Sequence, residues 1–321
     1  MSDSIRHGDS RLKELRAKLD RMRKTGTDVE RDTWSPADEV RRAIQRRQRA
    51  AAGPTPSERI VYRRDVPRQS PPPHRLLSRP AAKVTLEQAV DGEETVHPEW
   101  GKSLLICSRV DDADAGDSVS SRFRDRIASA GSSVCSRIAA AGGPEALQPE
   151  DVIFMDIETT GLGNSPLFLI GAMAWEGSGF TVRQYLARNY AEEAAVISFF
   201  LESCEAKRLL VTFNGKSFDV PFIRTRAIAN GIPFGLDTAH LDLLHVCRRI
   251  WKDDLPDCRL QTLERFICGR ARHGDIPGEQ IPEAYHAFVR SENAWQIVEI
   301  LNHNMLDLIT LADLMTRFPE G

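Results

Sequence analysis

From residue 150 onward, short apolar runs alternate with polar stretches, a pattern in which strands and helices take turns. Val152 to Met155 predict a strand over roughly 151–157. "LFLIGAMAW" and "FTVRQYLAR" predict two more, joined by the turn "EGSG". A helix follows from Glu192 ("EEAAVISFFLESC"), then a buried strand over 208–214 ("RLLVTFN"). Next comes a helix near 219–230, closed by Gly231 and Pro233. A short strand ("HLDLL"), a helix ("VCRRIW"), the stretch "LQTLERFI" and a long helix from about Ala294 to Arg317 complete the order. This is an α/β pattern over 149–321.

Upstream the pattern thins. "TLEQAV" predicts a short helix and "SLLICSRV" a strand, while 111–145 are rich in Ala, Ser, Gly and Asp. Residues 81–148 thus read as a linker or small accessory segment to which the sequence assigns no function. Leu12, Leu15, Leu19 and Met22 repeat at three- and four-residue steps and predict a helix over 10–24. That seam is too short to be stable alone and suits a protein partner or self-association. A second, basic helix is predicted from Ser35-Pro36, and 53–80 are Pro- and Arg-rich and extended.

Charge sharpens the division. Residues 1–80 carry 20 Lys and Arg against 11 acids, a net of +9, and the remaining residues carry 23 against 35, a net of −12. A largely disordered basic arm on an acidic body admits two readings: a clamp for a polyanion, or a solvated tail. The six cysteines show no paired spacing. The opening "MSDSIRHGDSRLKELR" is charged throughout and does not resemble a signal peptide, and no apolar run is long enough to span a membrane. Reduced thiols and a cytoplasmic location without membrane contact are the expectation. Cys247, Cys258 and Cys268, with His240 and His245 nearby, match no zinc spacing.

Three segments carry the candidate chemistry. In "FMDIETTGL", Asp156 and Glu158 lie two apart on a predicted strand, so both project from one face. Such a pair can be plain turn chemistry, or it can hold a hard cation such as Mg²⁺ or Mn²⁺. In "VTFNGKSFDVPFI", a strand ends at the turn Asn214-Gly215 and Asp219 begins the next helix. Asp219 is there either to complement the helix dipole or as a third carboxylate at the same sheet edge. Lys216 and Phe218 could meet a phosphate and a base. In "LNHNMLDLITLADL", His303 and Asp307 stand four apart on one helical face, either as a structural pair or as part of the same site. Asp242 is read as the cap of the helix after its strand, and His240 and His245 as structural.

Taken together, "DIETTGL", "NGKSFDVPF" and "HNMLD" resemble the three motifs of the DEDD, or DnaQ-like, exonuclease superfamily. The likeness is closer to the YprB-type ribonuclease H-like proteins, through "PLFLIGAMAW", "HLDLLHVCRRIW", "LQTLERFICG" and "DIPGEQIPEAY". It covers about 150–318. The resemblance implies a ribonuclease H-like mixed β-sheet flanked by helices, mostly parallel with an early antiparallel hairpin. It implies Asp156, Glu158, Asp219 and Asp307 as ligands of two divalent cations, with His303 as base or water-orienting group. Thr160, Gly161 and Leu162 would line the pocket of the terminal nucleotide, with Asn214, Lys216 and Phe218 beside it. The implied activity is 3′-to-5′ hydrolysis of single-stranded DNA or RNA, which two metals roughly 4 Å apart can drive.

One departure stands out. In the histidine branch of that superfamily the His precedes the last Asp by five positions, and in the tyrosine branch the Tyr precedes it by four. Here His303 takes the tyrosine spacing and Asn302 the histidine one. One residue turns a helix by about 100°, so the aim of His303 is a question for the structure. The contrasting expectation is a nucleic-acid-binding or scaffold protein that keeps the fold without turnover. Against it, all four acids are present.

Overall fold

The structure, a computed structural model, describes residues 83–110, 118–128, 133–140, 142–144, 146–272 and 274–319. The chain divides into two units, 1–52 and 53–321, and every described residue belongs to the second. The basic arm, with its expected helices over 10–24 and from Ser35, lies outside the described residues.

Seven strands form one mixed sheet in the order β1-β2-β5-β4-β3-β6-β7. They are β1 (Glu93–His97), β2 (Gly101–Arg109), β3 (Val152–Thr159), β4 (Leu167–Glu176), β5 (Gly179–Leu186), β6 (Leu209–Thr212) and β7 (Ala239–Asp242). Among the described residues only β3–β6 and β6–β7 pair in parallel, while the other four pairings are antiparallel. The expectation of a mostly parallel sheet is corrected here. The β4–β5 hairpin was expected, but the stretch before residue 149 adds a second hairpin, whose β2 pairs with β5. That stretch also supplies α1 (Leu86–Ala89), α2 (Val119–Ala128) and α3 (Ser133–Ala140).

The parallel strands need crossovers, and these are α4 (Glu193–Cys204) before β6 and α5 (Asp219–Ala229) before β7. After β7 come α6 (Leu243–Trp251), α7 (Leu260–Leu263) with a π-helical turn at Glu264–Cys268, α8 (Ile281–Ser291) and the long α9 (Trp295–Thr316).

Alternation along β3 sends Ile153, Met155 and Ile157 to one face and Val152 and Phe154 to the other. The first face packs on α4, α5 and α8 (Val196, Phe200, Ile223, Tyr285). The second packs on α2, α3, α6 and the latter part of α9 (Phe123, Ile138, Val246, Leu308, Leu311). Phe123, Phe154 and Phe180 meet there with ring centroids 5.0–5.6 Å apart. Asp156 and Glu158 share the parity of Phe154. They therefore leave the sheet on the face that α9 covers, where strand β3 ends.

Candidate active site

Three segments bring acids to this edge. β3 contributes Asp156 and Glu158. Asp219 begins α5, and its carboxylate takes a backbone hydrogen bond from Ile157 of β3, which draws it against the same strand. Asp307 comes from α9, and His303, one turn earlier, places Nε2 3.4 Å from an Asp307 oxygen. The spacing question is thereby answered: His303 faces the acids.

Burial pushes all three acids from the strand edge upward. Asp156 is raised well above the carboxylate range, first by burial and then by the charges of Asp307, Glu158 and Asp219. Glu158 is raised to about 8 by burial, with Asp307 and Asp219 adding to it and His303 opposing. Asp219 is raised to about 7, again by burial first, with Asp242 and Asp307 adding to it. All three respond to the charge of Asp307, and Asp156 and Glu158 respond also to Asp219, so the four acids occupy one electrostatic neighbourhood.

The supporting contacts explain how the acids are held. Asp242 caps α6 through the Leu244 amide at 3.1 Å, as its sequence position predicts. The same carboxylate accepts from the amides of Asn214 (2.8 Å) and Lys216 (3.1 Å). It thus fixes the turn that delivers Asp219, in which Asn214 takes a left-handed backbone with φ 65°. His240 bonds Thr212 at 2.8 Å, consistent with a structural role. Phe218 is half-buried against Phe222, and Lys216 is exposed. In the loop after β3, the Thr160 amide and hydroxyl both donate to the Pro166 carbonyl (2.9 and 3.0 Å). Gly161 has φ 154°, and a Cβ there would meet the Ser165 hydroxyl at 2.9 Å. Leu162 stands 81% exposed at the tip. Buried Glu193 ties this loop to α5: it receives the Leu167 amide and both arms of Arg226, and Arg226 donates to the Asn164 carbonyl.

Sequence reasoning passed over three residues that touch the site. Asn304, wholly buried, donates to the Asp156 carboxylate at 2.9 Å and to its carbonyl at 3.2 Å. Its own oxygen accepts from Gln184 of β5 at 2.9 Å. Arg272 bonds Asp307, Glu264 (2.6 Å) and Asp275 (3.1 Å) at once. Asp275 meets His303 Nδ1 at 2.9 and 3.0 Å. Burial works against ionisation of Asp275, but His303 and Arg272 outweigh it and hold the carboxyl below its ordinary value. Asp275 opens "DIPGEQIPEAY" and Glu264 lies in "LQTLERFICG", stretches that carry the family resemblance without marking either residue as part of the site.

Among the described residues, no group of three or more acidic, histidine or cysteine side chains is spaced to hold an ion as it stands. The donor chemistry nonetheless fits hard divalent cations: four carboxylates, three of them pushed toward protonation by burial and by neighbouring acids. The cysteines are all free and build no such group. No helix among the described residues is long and apolar enough to cross a membrane.

A family model described as RNase_H superfamily matches residues 153–318. The chain is 34% identical over 169 residues to a Bacillus subtilis (strain 168) protein named Uncharacterized protein YprB. That match covers 51% of this chain and 41% of the relative, so the chain spans under half of the relative's length. A family B DNA polymerase from the hyperthermophilic archaeon Pyrobaculum calidifontis is similar over 53% of this chain and 25% of the polymerase, at 19% identity and TM-score 0.43.

Proposed function

The chain belongs to the RNase_H superfamily, and from that premise we propose that it is a DEDD-type nuclease, a 3′-to-5′ exonuclease on single-stranded DNA or RNA. The observation that carries this reading is the meeting of four acids from three separate segments, the three buried ones raised first by burial and each also by the charge of Asp307. Asp156, Glu158, Asp219 and Asp307 hold two divalent cations, Mg²⁺ or Mn²⁺, which when bound offset the phosphodiester's charge and activate water. His303 accepts the attacking water's proton at Nε2, the ring atom turned toward the acids. Exposed Leu162, with Thr160 and Gly161, receives the terminal nucleotide. Lys216 meets a phosphate, Phe218 offers its ring to a base, and Asn214 shapes the turn between them. The basic arm, 1–80, holds the strand or docks a protein partner, and the domain of 149–321 performs the chemistry.

The test is a panel of end-labelled single- and double-stranded DNA and RNA with Mg²⁺ or Mn²⁺, run beside Asp156→Asn. Stepwise shortening from the 3′ end that disappears in the variant is the expected result. No product from any substrate with either ion would overturn the reading.

A second reading has one observation on its side: Arg272 already pairs with Asp307. It makes the protein a nucleic-acid-binding scaffold without turnover. Retention of labelled strands on a filter with no cleavage would select it.

A further inference from the structure

Asp275 sits outside the motif acids, on the segment between the π-helical turn and α8. Its carboxylate meets His303 Nδ1 with both oxygens, at 2.9 and 3.0 Å, and is only 10% exposed. The other ring nitrogen, Nε2, points to Asp307 at 3.4 Å. A carboxylate has no hydrogen to give, so the hydrogen of this bond belongs to Nδ1. In a neutral ring the lone pair then falls on Nε2, the atom that faces the acids. Without that partner the ring has two tautomers and two flipped orientations to choose among.

Arg272 restrains Asp275 in turn, at 3.1 Å, while its remaining nitrogens bond Glu264 and Asp307. The segment therefore grips α9 twice, once through each of its two polar site residues. A bare structural counter-ion for Arg272 would need only one oxygen and no alignment with the imidazole.

We propose that Asp275 is the positioning residue of this site: it fixes the tautomer and aim of His303 so that Nε2 is free to take a proton. The role rests on the nuclease reading above, but its first test does not. In the full-length, metal-free protein with ¹⁵N-labelled histidine, the His303 resonances are identified by their loss in His303→Gln. At a pH where the ring is neutral, wild type should show hydrogen on Nδ1, and Asp275→Asn should shift the population toward Nε2–H. Unchanged tautomer populations in Asp275→Asn would overturn the proposal, whether or not the protein cleaves anything.

The kinetic arm separates positioning from support. Asp275→Asn should lower kcat about 10- to 100-fold while KM and calorimetric Mn²⁺ affinity stay near wild type. Asp275→Glu should recover part of the loss. In a His303→Ala background the same substitution should add no further loss, because the group it serves is gone. An equal loss in both backgrounds would make Asp275 merely structural and overturn the proposal, as would a shifted tautomer with unchanged kcat. If wild type itself releases no nucleotide in the substrate panel, the nuclease reading fails, and the tautomer measurement still decides whether Asp275 sets the ring.

Discussion

Asp156, Glu158 and Asp219 are raised by burial, the latter two to about 8 and about 7, and this gives the metal-free protein a pH signature. In the unfolded chain these groups titrate near pH 4. Between there and about pH 8 the folded chain holds protons that the unfolded chain has lost, so stability falls as pH rises. His303, raised to about 8 because Asp275 and the acids outweigh its burial, has the same sign and loses its contribution above its unfolded value. His240, pushed down to about 4 by burial, opposes the trend below about pH 6.5, one group against three. Thermal melts in chelator should therefore show Tm dropping from pH 5 to pH 8, both about mid-range settings, with Mn²⁺ restoring most at the upper end. A flat or rising profile would contradict the buried-acid geometry. His303→Ala should cut turnover about 100-fold or more and leave Mn²⁺ affinity nearly intact, since the ring lies beside the carboxylates and adds none. Unchanged turnover would show that another group takes the proton. The four acids and His303 were legible in the sequence because each sits in a short motif, Asp156, Glu158 and Asp219 at an element's end and His303 with Asp307 one turn apart within α9. Asp275 and Arg272 were not, because their role depends on how a loop returns over α9, and an acid before Ile276-Pro277 reads equally well as a turn residue.

At the scale of elements, the site depends on how closely α9 approaches the sheet. Gly171 of β4 lies directly opposite Asp156 in the β3–β4 register. A methyl group at Gly171 would run into the side-chain amide of Asn304. The glycine is therefore the space through which Asn304 links Gln184 to Asp156. Gly171→Ala should destabilise the fold by about 1–3 kcal/mol, measured by urea unfolding, and lower turnover by displacing Asp156. Adding Asn304→Gly should recover part of the stability, because the clash goes, but not the turnover, because the tether goes with it. Additive losses in the double variant would argue against this contact as the cause. The sequence showed β4 as an apolar run and α9 as a helix with a polar interruption at His303. It could not show that Asn304 faces inward onto Gly171, since a buried asparagine is recognisable only once its partners are known. The same limit explains the pairing: strand positions were readable from apolar runs, whereas the antiparallel share of the sheet depends on which edges meet.

On the scale of the whole molecule, the boundary of the folding unit differs from the boundary of the motifs. The family match begins at residue 153, yet residues before it complete the body. β2 covers the edge of β5 along six residue pairs from Leu104 to Arg109. Phe123 of α2 is fully buried among Phe154 and Phe180, and Arg122 pairs with Asp313 of α9 at 2.9 Å. Val84 donates to the Asn293 side chain and accepts from the Ala294 amide, pinning the start of α9, the helix that carries His303 and Asp307. The low-hydropathy stretch 111–145 hid this because its apolar residues are few and are spent on the shared core rather than on one of their own. A chain starting at residue 83 should remain soluble, melt as the full chain does and digest short oligonucleotides with Mn²⁺, leaving the arm to tune targeting alone. A chain starting at residue 149 should aggregate, because it bares both the unpaired edge of β5 and the aromatic face under α2. Soluble yield and circular-dichroism melts of the two truncations separate these outcomes. If the shorter chain were monomeric with an unchanged Tm, the hairpin and α2 would be accessories, and the placement of His303 and Asp307 would have to be explained by the sheet alone.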